Sequence, residues 1–345
     1  MSRSFIVLLL LQLGSIPSQQ PRDPGYVAED PALARLVGTP GPSITLQGID
    51  GRTIDLKNSY GKKPIYLKLW ATYCMPCRAQ MPGFERIYEA YGDRIQIVSV
   101  NAGVADDAAK VRAFVATHRL RTPVAIDDGS LGSWLKMEAT PFHLLIGRDG
   151  RIVYAGHQDG ARLDAALETV IAAPVASAKI ETLSVKSIAA LKPGDRVPAI
   201  DLHRADDTPL QFKSGPTAHP RAVLFTAVWC ESYLKQTEPD SVEACRRVRT
   251  QVDELSQTGD VEWLGVVAHL WTTSKSLGDY QKRMNPRVPM TVDTDGVAFR
   301  VFGIRRLPAV ALVGADGRLV RLVGPDDPEL ASAVEKLRST TERSR

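Results

Sequence analysis

The sequence predicts an α/β chain with two tandem domains, each built on a central mixed sheet flanked by helices. Short apolar strands alternate with amphipathic helices along the chain, which is the pattern of a sheet covered by helices. The run from Leu145 to Val153 recurs from Leu312 to Val320, at an offset of 167 residues (312 − 145). A length of 345 residues suits two domains of ordinary size.

The composition is that of a soluble globular protein, with 44% hydrophobic and 24% charged residues. The net charge is only +4 and the basic residues are interspersed with others, so the sequence does not favour a nucleic-acid partner. Four cysteines are too few for disulfides to be the main stabilising feature of a chain of this length. Their presence therefore favours catalysis over scaffolding.

Residues 1–18 predict a signal peptide. Arg3 precedes an apolar run over residues 5–13 that only Gln12 interrupts, and small residues follow it. The run is shorter than the roughly 20 apolar residues that span a bilayer, although an uncleaved anchor is the alternative. Export would place the protein in the periplasm, where disulfides persist.

The first domain is predicted over residues 37–173, and its elements follow from periodicity and turn signals. In order they are a strand over 65–70, a helix with Met81, Phe84, Ile87 and Tyr88 on one face, a strand near 95–100, a helix near 106–119, a strand over 123–126, a short helix with Leu131, Trp134 and Leu135, a hairpin and a helix over about 161–172. The dipeptide Asp149-Gly150 is a strong signal for the hairpin turn.

The second domain is predicted over residues 191–340, with strands near 221–227 and 261–267 and a linker over 174–190. Cys74 corresponds to Cys230 at an offset of 156 residues (230 − 74). Pro141 corresponds to Pro308 at an offset of 167 (308 − 141). The second domain is therefore about eleven residues longer between these landmarks, in a loop or a helix.

Cys74-Met75-Pro76-Cys77 carries the chemistry of the first domain, because it joins the strand over 65–70 to the helix that follows. The first thiol would face unpaired backbone N–H groups and the positive end of the helix dipole, which favour an anion. Such positions lower the pKa of a cysteine from about 8.5 to about 3.5–7.5. The spacing therefore predicts a redox-active pair.

The alternative interpretation of Cys-x-x-Cys is that the two cysteines form half of a zinc site. A structural zinc would need two further ligands at similar spacing. Cys230 and Cys245 are distant in the sequence and fourteen residues separate them, and the six histidines form no ligand pair. Redox chemistry without a metal or another cofactor is therefore favoured.

Three further motifs occur in order: the run from Trp70 to Cys77, then Met81-Pro82, then Thr140-Pro141 before a strand that ends in Asp149-Gly150. Together they resemble the periplasmic thioredoxin-like reductases of the TlpA/ResA type. The resemblance covers nearly all of the first domain. It implies a thioredoxin fold and thiol–disulfide exchange, and it makes both predicted domains thioredoxin-like, the second in degenerate form.

The resemblance also implies roles for individual residues. Cys74 would be the exposed nucleophile and Cys77 the buried thiol that resolves the mixed disulfide. The other implied roles are a fixed backbone at Pro76, a cis peptide bond at Pro141, backbone hydrogen bonds from Thr140 to an extended substrate, and site walls at Trp70 and Tyr73.

Two positions depart from the family, which often places a carboxylate or a neutral polar group beneath the site. Lys68 stands six residues before Cys74, and Gln80 stands three residues after Cys77. A Lys68 ammonium near the cysteines would stabilise a thiolate. We expect instead that the Lys68 side chain extends outward to solvent.

The second domain keeps Cys230 but has Tyr233 in the place of the second cysteine. If one helix carried both Cys230 and Cys245, they would be about 22 Å apart, too far for a disulfide. Cys245 also falls on an apolar helical stripe, so it is expected to be a buried small hydrophobe. Cys230 is either part of a degenerate copy that serves docking or dimerisation, or a reactive monothiol.

The function expected from these features is reduction of disulfides in exported proteins by Cys74 and Cys77, with a membrane electron donor implied by the family. One alternative is a thiol peroxidase, for which Thr72 and Arg78 have thioredoxin-type spacing rather than the peroxidase arrangement. Another is a client-binding module without turnover.

Overall fold

The computed structural model describes residues 31–174 and 180–342, and the predicted signal peptide over 1–18 lies outside them. The described residues form two seven-stranded mixed sheets and one two-stranded sheet. Helices flank both large sheets. The predicted fold class, two tandem thioredoxin-like α/β domains, is confirmed.

The first sheet is built from the first half of the chain. Its elements and their neighbours are α1 (Pro31–Ala34), β1 (Gly41–Ser43), β2 (Thr45–Gly48), β3 (Thr53–Asp55), β4 (Ile65–Trp70), α2 (Met75–Tyr91), β5 (Gln96–Asn101), α3 (Ala108–His118), β6 (Val124–Ile126), α4 (Ser130–Leu135), β7 (Phe142–Ile146), β8 (Ile152–Gly156), α5 (Ala161–Ala172) and β9 (Thr182–Ser184). The strand order is β3-β2-β6-β5-β4-β7-β8.

The second sheet is built from the second half. Its elements are β10 (Ile200–His203), β11 (Pro209–Phe212), β12 (Arg221–Thr226), α6 (Pro239–Leu255), β13 (Glu262–Ala268), α7 (Ser274–Met284), β14 (Met290–Asp293), α8 (Val297–Phe302), β15 (Ala309–Val313), β16 (Leu319–Val323) and α9 (Leu330–Glu342). The strand order is β11-β10-β14-β13-β12-β15-β16, so each strand has a counterpart at the same place in the first sheet.

The central strands position the site because they are buried on both faces. All six residues of β4 are buried, and β4 lies parallel to β5 and antiparallel to β7. β12 has the same surroundings in the second sheet. Strands buried on both faces appear in the sequence as nearly continuous apolar runs, which is why β4 could be predicted with its observed bounds.

The stretch predicted as a linker is not irregular throughout. β9 lies within the predicted range of 174–190 and pairs in parallel with β1, with Gly41 opposite Thr182. The predicted linker therefore contains a short strand, Thr182–Ser184, which backbone pairing holds against β1.

Most of the extra length of the second domain precedes its main helix. α2 begins one residue after Cys74, whereas α6 begins nine residues after Cys230, and each helix has 17 residues. A 3-10 helix over Tyr233–Gln236 occupies the added segment. The segment carrying Cys230 is therefore separate from the helix carrying Cys245.

The turn between β7 and β8 supplies a test of local packing. Gly150 has a positive φ of 81°, and a Cβ atom there would lie 2.9 Å from Ile180 Cγ2. We expect Gly150→Ala to lower the free energy of unfolding by more than the roughly 1–2 kcal/mol that a left-handed conformation costs. Gly51→Ala is the matched control, because φ is 83° there with no atom within 4 Å. Equal losses in urea denaturation would contradict the packing argument.

Candidate active site

The disulfide between Cys74 and Cys77 lies at the N-terminus of α2. Its Cα atoms are 5.2 Å apart. Cys74 is the N-cap residue, and its Sγ accepts a hydrogen bond of 3.2 Å from the backbone N–H of Cys77. Pro76 lies in the first helical turn, where a missing N–H removes no helical hydrogen bond. In the reduced protein the same N–H and the helix dipole would stabilise a Cys74 thiolate.

Both sulfur-bearing residues are buried. Cys74 and Cys77 are each 0% exposed, whereas Met75 between them is 45% exposed. The expectation that Cys74 is an exposed nucleophile is therefore wrong for this arrangement of the domains. The physical reason is that the second domain lies against the loop that carries Cys74.

Aromatic rings form the centre of that contact. Tyr73 stacks on Trp229 with ring centroids 5.1 Å apart, and its edge meets Trp271 at 5.6 Å. Trp271 also contacts Tyr233 at 5.5 Å. Tyr73 was predicted to wall the site, and it lies fully buried between the domains with its hydroxyl donating to the Val104 carbonyl at 2.7 Å. Aromatic pairs of this kind contribute about 0.5–1.5 kcal/mol each beyond their buried area.

Polar groups surround the aromatic rings. The Met75 N–H donates to the Tyr233 hydroxyl at 3.1 Å, directly beside Cys74. Lys110 of the first domain pairs with Glu238 of the second at 2.6 Å. These two contacts join the site loop and α3 to the segment that precedes α6.

A buried carboxylate, Asp106, supports the same loop and escaped the sequence analysis. It accepts hydrogen bonds from the Thr72 N–H at 2.7 Å and the Thr72 hydroxyl at 2.6 Å, and it pairs with Lys110 at 3.4 Å. Burial raises the pKa of Asp106, while Lys110 and the hydrogen bonds from Asn101 and Thr72 oppose that shift. Its spacing of four residues from Lys110 was visible in the sequence, but its contact with Thr72 spans 34 residues.

The Glu238–Lys110 pair gives a test of domain closure. We expect Glu238→Gln to raise the rate at which dithiothreitol reduces Cys74–Cys77 by about tenfold, because a hydrogen bond to a charged group contributes about 1.5–3 kcal/mol. Glu243→Gln is the control, since Glu243 lies on α6 five residues after Glu238, is 63% exposed and pairs with Arg246 of its own helix. Equal rates in the two variants would show that this pair does not limit access.

Lys68 lies inside the protein, against Gln80 of the helix that begins after Cys74. It is 0% exposed, and its Nζ donates to Gln80 Oε1 at 3.1 Å. The expectation that Lys68 extends to solvent is wrong, because β4 is covered on both faces and offers its central residues no path to water. Burial lowers the pKa of Lys68 to about 7, against a small opposing effect of Asp159.

Two histidines that were not singled out from the sequence extend this polar cluster: His143 is fully buried and His157 is partly exposed. His143 lies opposite Lys68 on β7, and its Nε2 is 3.0 Å from Gln80 Oε1. Because that oxygen can only accept, Nε2 carries the proton and Nδ1 accepts from the Tyr66 hydroxyl at 2.7 Å. Burial, reinforced by Lys68, lowers the pKa of His143 well below its usual value.

The cluster reaches the proline loop through the other histidine. Gln80 Nε2 donates to the His157 carbonyl at 3.2 Å, and His157 Nδ1 donates to the Pro141 carbonyl at 2.7 Å. The Thr140–Pro141 peptide bond is cis, as the resemblance implied. The Thr140 hydroxyl has no partner within the described ranges. Hydrogen bonds therefore connect Lys68 continuously to Pro141.

Trp70 occupies the end of β4. It is fully buried and packs against Phe114 with ring centroids 4.9 Å apart. In this structure its indole belongs to the core of the first domain, next to the site loop rather than open to solvent.

The buried Lys68 predicts a pH dependence of stability. The pKa of Lys68 is about 7 in the folded protein and about 10.4 when unfolded. Between these values the unfolded chain binds more protons, so the free energy of unfolding rises with pH, by at most about 1.4 kcal/mol per unit. We therefore expect Lys68→Met to be more stabilising, or less destabilising, at pH 6.5 than at pH 9.5.

Urea denaturation of the oxidised wild type and of Lys68→Met at both pH values measures this difference. Lys62→Met is a control, because Lys62 is exposed on the loop before β4. Parallel pH dependences for wild type and Lys68→Met would contradict the burial of a titrating amine.

The second domain contains a disulfide that was not predicted. Cys230 and Cys245 are bonded, with Cα atoms 6.3 Å apart. The expectation that Cys245 is only a buried hydrophobe, and that Cys230 is a monothiol, is therefore wrong. The calculated 22 Å assumed one continuous helix, whereas Cys230 precedes the 3-10 helix and folds back against α6. The Leu307–Pro308 bond is cis, like that of Pro141.

Within residues 31–174 and 180–342, no group of three or more His, Cys, Asp or Glu side chains is placed to hold a metal ion. No helix in these ranges combines the length and the apolar character needed to cross a bilayer.

Comparisons with known proteins agree with the geometry of the first domain. Residues 36–171 match the Redoxin family model. Thioredoxin-like protein YneN of Bacillus subtilis is 33% identical over 116 residues, covering 33% of this chain and 68% of that protein. Thiol-disulfide oxidoreductase ResA of Halalkalibacterium halodurans is 32% identical over 126 residues, covering 36% of this chain and 69% of that protein.

The chain belongs to the ResA-type thioredoxin-like thiol-disulfide oxidoreductases. ResA of Bacillus cereus is 28% identical over 170 residues, which is 48% of this chain and 94% of that relative. A solved structure of a putative thiol:disulfide interchange protein DsbE from Chlorobium tepidum has 23% identity and a TM-score of 0.36, covering 39% of this chain and 97% of that one. Like its ResA-type relatives, the protein is a thiol:disulfide oxidoreductase.

Proposed function

We propose that this protein is exported and reduces disulfides of other exported proteins by dithiol exchange at Cys74 and Cys77. The observation that carries the proposal is the hydrogen bond from the Cys77 N–H to Cys74 Sγ at the head of α2. Export is supported by the leader-like residues 1–18, and the periplasm is the compartment proposed.

The exchange proceeds in two displacements. The Cys74 thiolate attacks one sulfur of the substrate disulfide, and the other substrate sulfur leaves as a thiolate. Cys77 then attacks Cys74 Sγ, which releases the second substrate sulfur and forms the Cys74–Cys77 disulfide. Two electrons pass to the substrate, and the two thiol protons of the enzyme balance those gained by the substrate thiols. The pair itself is the only redox group required.

Substrate would bind along the proline loop. We assign Thr140 and Pro141 to an extended substrate segment, with Trp70 and Tyr73 at the margin of the site. Because the second domain contacts Tyr73 and the residue after Cys74, substrate reaches Cys74 only when this contact opens. Access is then a conformational step that precedes chemistry.

Lys68 and Gln80 would support the exchange from below. A pKa of about 7 lets Lys68 change protonation near neutral pH without leaving its buried position. Gln80 orients both Lys68 and His143 through one oxygen. We therefore treat Lys68 as a positioning residue that sets the charge beneath the cysteines.

The proposed direction of electron flow is supported by the family resemblance and by the residues between the cysteines. Met75-Pro76 lacks the histidine that strong oxidants of this superfamily often carry there, so reduction is favoured. A membrane protein that supplies electrons from the cytosol would complete the cycle. The partners proposed are thus exported protein disulfides and that donor.

A thiol peroxidase has less support, because its two candidate residues are engaged in structural bonds. The Thr72 hydroxyl donates to Asp106, and Arg78 Nε donates to the Thr72 carbonyl at 2.7 Å. Arg78 also lies over the Phe114 ring at 5.4 Å. The insulin assay described below distinguishes a client-binding module without turnover from an enzyme, because only an enzyme accelerates the reduction.

Insulin reduction with dithiothreitol as electron source tests the proposed function. We expect Cys74→Ser to lower the catalysed rate of insulin reduction at least tenfold, because the attacking thiol is missing. Cys77→Ser should also lose turnover but retain a covalent mixed disulfide with its substrate, since the resolving thiol is missing. Mass spectrometry of the trapped adduct identifies Cys74 as the attached residue. Undiminished activity in Cys74→Ser would overturn the proposal.

A further inference from the structure

We propose that Cys230 and Cys245 form a second redox-active pair, which exchanges electrons with Cys74–Cys77 inside the same chain. The proposal rests on the proposed dithiol function of Cys74 and Cys77. It assigns to the second domain a catalytic role, in place of docking alone.

The pair occupies the same place in its domain as the first pair does. Cys230 follows β12 at the same distance as Cys74 follows β4, four residues after the strand ends. Cys77 is the third residue of α2, and Cys245 is the seventh residue of α6. Positions four apart lie on the same face of a helix. Cys245 therefore lies on the face of α6 that corresponds to the Cys77 face of α2, one helical turn further along. A cis proline precedes β7 and β15 alike.

The loops that carry the two first cysteines touch each other. Tyr73, which precedes Cys74, stacks on Trp229, which precedes Cys230. The residue after Cys74 donates its N–H to Tyr233, three residues beyond Cys230. The surface that each site would offer to a partner protein is therefore covered by the other site of the same chain.

Burial limits which groups can react with these sulfurs in the closed form. Cys230 is 1% exposed and Cys74 is 0% exposed. A foreign protein has no route to either one without separating the domains. An exchange between the two pairs would take place between loops that are already in contact.

The exchange balances within the chain. Starting from a Cys230/Cys245 dithiol and the Cys74–Cys77 disulfide, the Cys230 thiolate attacks Cys74 Sγ, and Cys77 leaves as a thiolate that takes up a proton. Cys245, losing its proton, then attacks Cys230 Sγ, and Cys74 leaves as a thiolate. Two electrons move from the second pair to the first. An external dithiol protein reduces the second pair to begin a new cycle.

The double variant Cys77→Ser/Cys245→Ser tests the exchange, because it leaves one sulfur of each pair. After mild oxidation with glutathione disulfide, we expect an intramolecular Cys74–Cys230 disulfide in most chains, found by peptide mapping of the monomer without reduction. Cys77→Ser/Cys230→Ser is the matched control. Its remaining Cys245 lies on α6 behind Cys230, so at least tenfold less cross-link is expected.

The same samples separate the two proposals. If Cys74 forms a glutathione adduct but no cross-link to Cys230, the exchange between pairs is overturned and the proposed function stands. If Cys74 forms neither product, both proposals fail.

The unaltered chain provides a second measurement that does not depend on the folding of variants. We equilibrate it with glutathione buffers of graded composition, alkylate the free thiols and map all four cysteines. We expect both disulfides to be reduced and re-formed reversibly, over overlapping ranges of the ratio of reduced to oxidised glutathione. A Cys230–Cys245 bridge that stays closed while Cys74–Cys77 opens fully would be a structural disulfide, and the proposal would be overturned.

Discussion

The stacking of Tyr73 on Trp229 is the interaction on which the arrangement of the site depends. It joins the two loops that carry the first cysteine of each pair, and Trp271 and Tyr233 extend it on the second domain. Cys74 therefore has a helix N-terminus that favours its thiolate, together with a neighbouring domain that shields it. Reactivity and access are set by separate parts of the molecule, so each can change without the other.

The first domain has a second constraint beneath the cysteines. Lys68 and His143 are fully buried and both hydrogen-bond to the partly buried Gln80, which extends the hydrogen bonds through His157 towards Pro141. A buried amine is costly when charged, which is why its pKa falls towards neutrality. Relatives that have a carboxylate there would place negative charge where this chain places an amine, so the pH dependence of exchange is expected to differ.

The sequence was sufficient for features that depend on near neighbours. β4, the cysteine pair and α2 follow from one apolar run and one spacing, and α5 was predicted within its observed bounds. Features that depend on distant contacts were missed. The burial of Cys74 requires a second domain about 155 residues away in sequence, and Lys68 is enclosed by strands that converge from three parts of the chain. Cys245 was misjudged because an inserted segment with a 3-10 helix, and not one continuous α-helix, leads from Cys230 to Cys245.

The central claim is that α2 and the Cys77 N–H favour the thiolate of Cys74. Its most direct test is the rate at which iodoacetamide alkylates Cys74 in the reduced protein between pH 5 and pH 9, resolved by peptide mapping. Domain closure lowers the alkylation rate by the same factor at every pH, so it does not change how the rate depends on pH. The account predicts a rate that is already close to its plateau at pH 7.5. A rate that climbs about tenfold per pH unit up to pH 8, as for an ordinary cysteine, would contradict it.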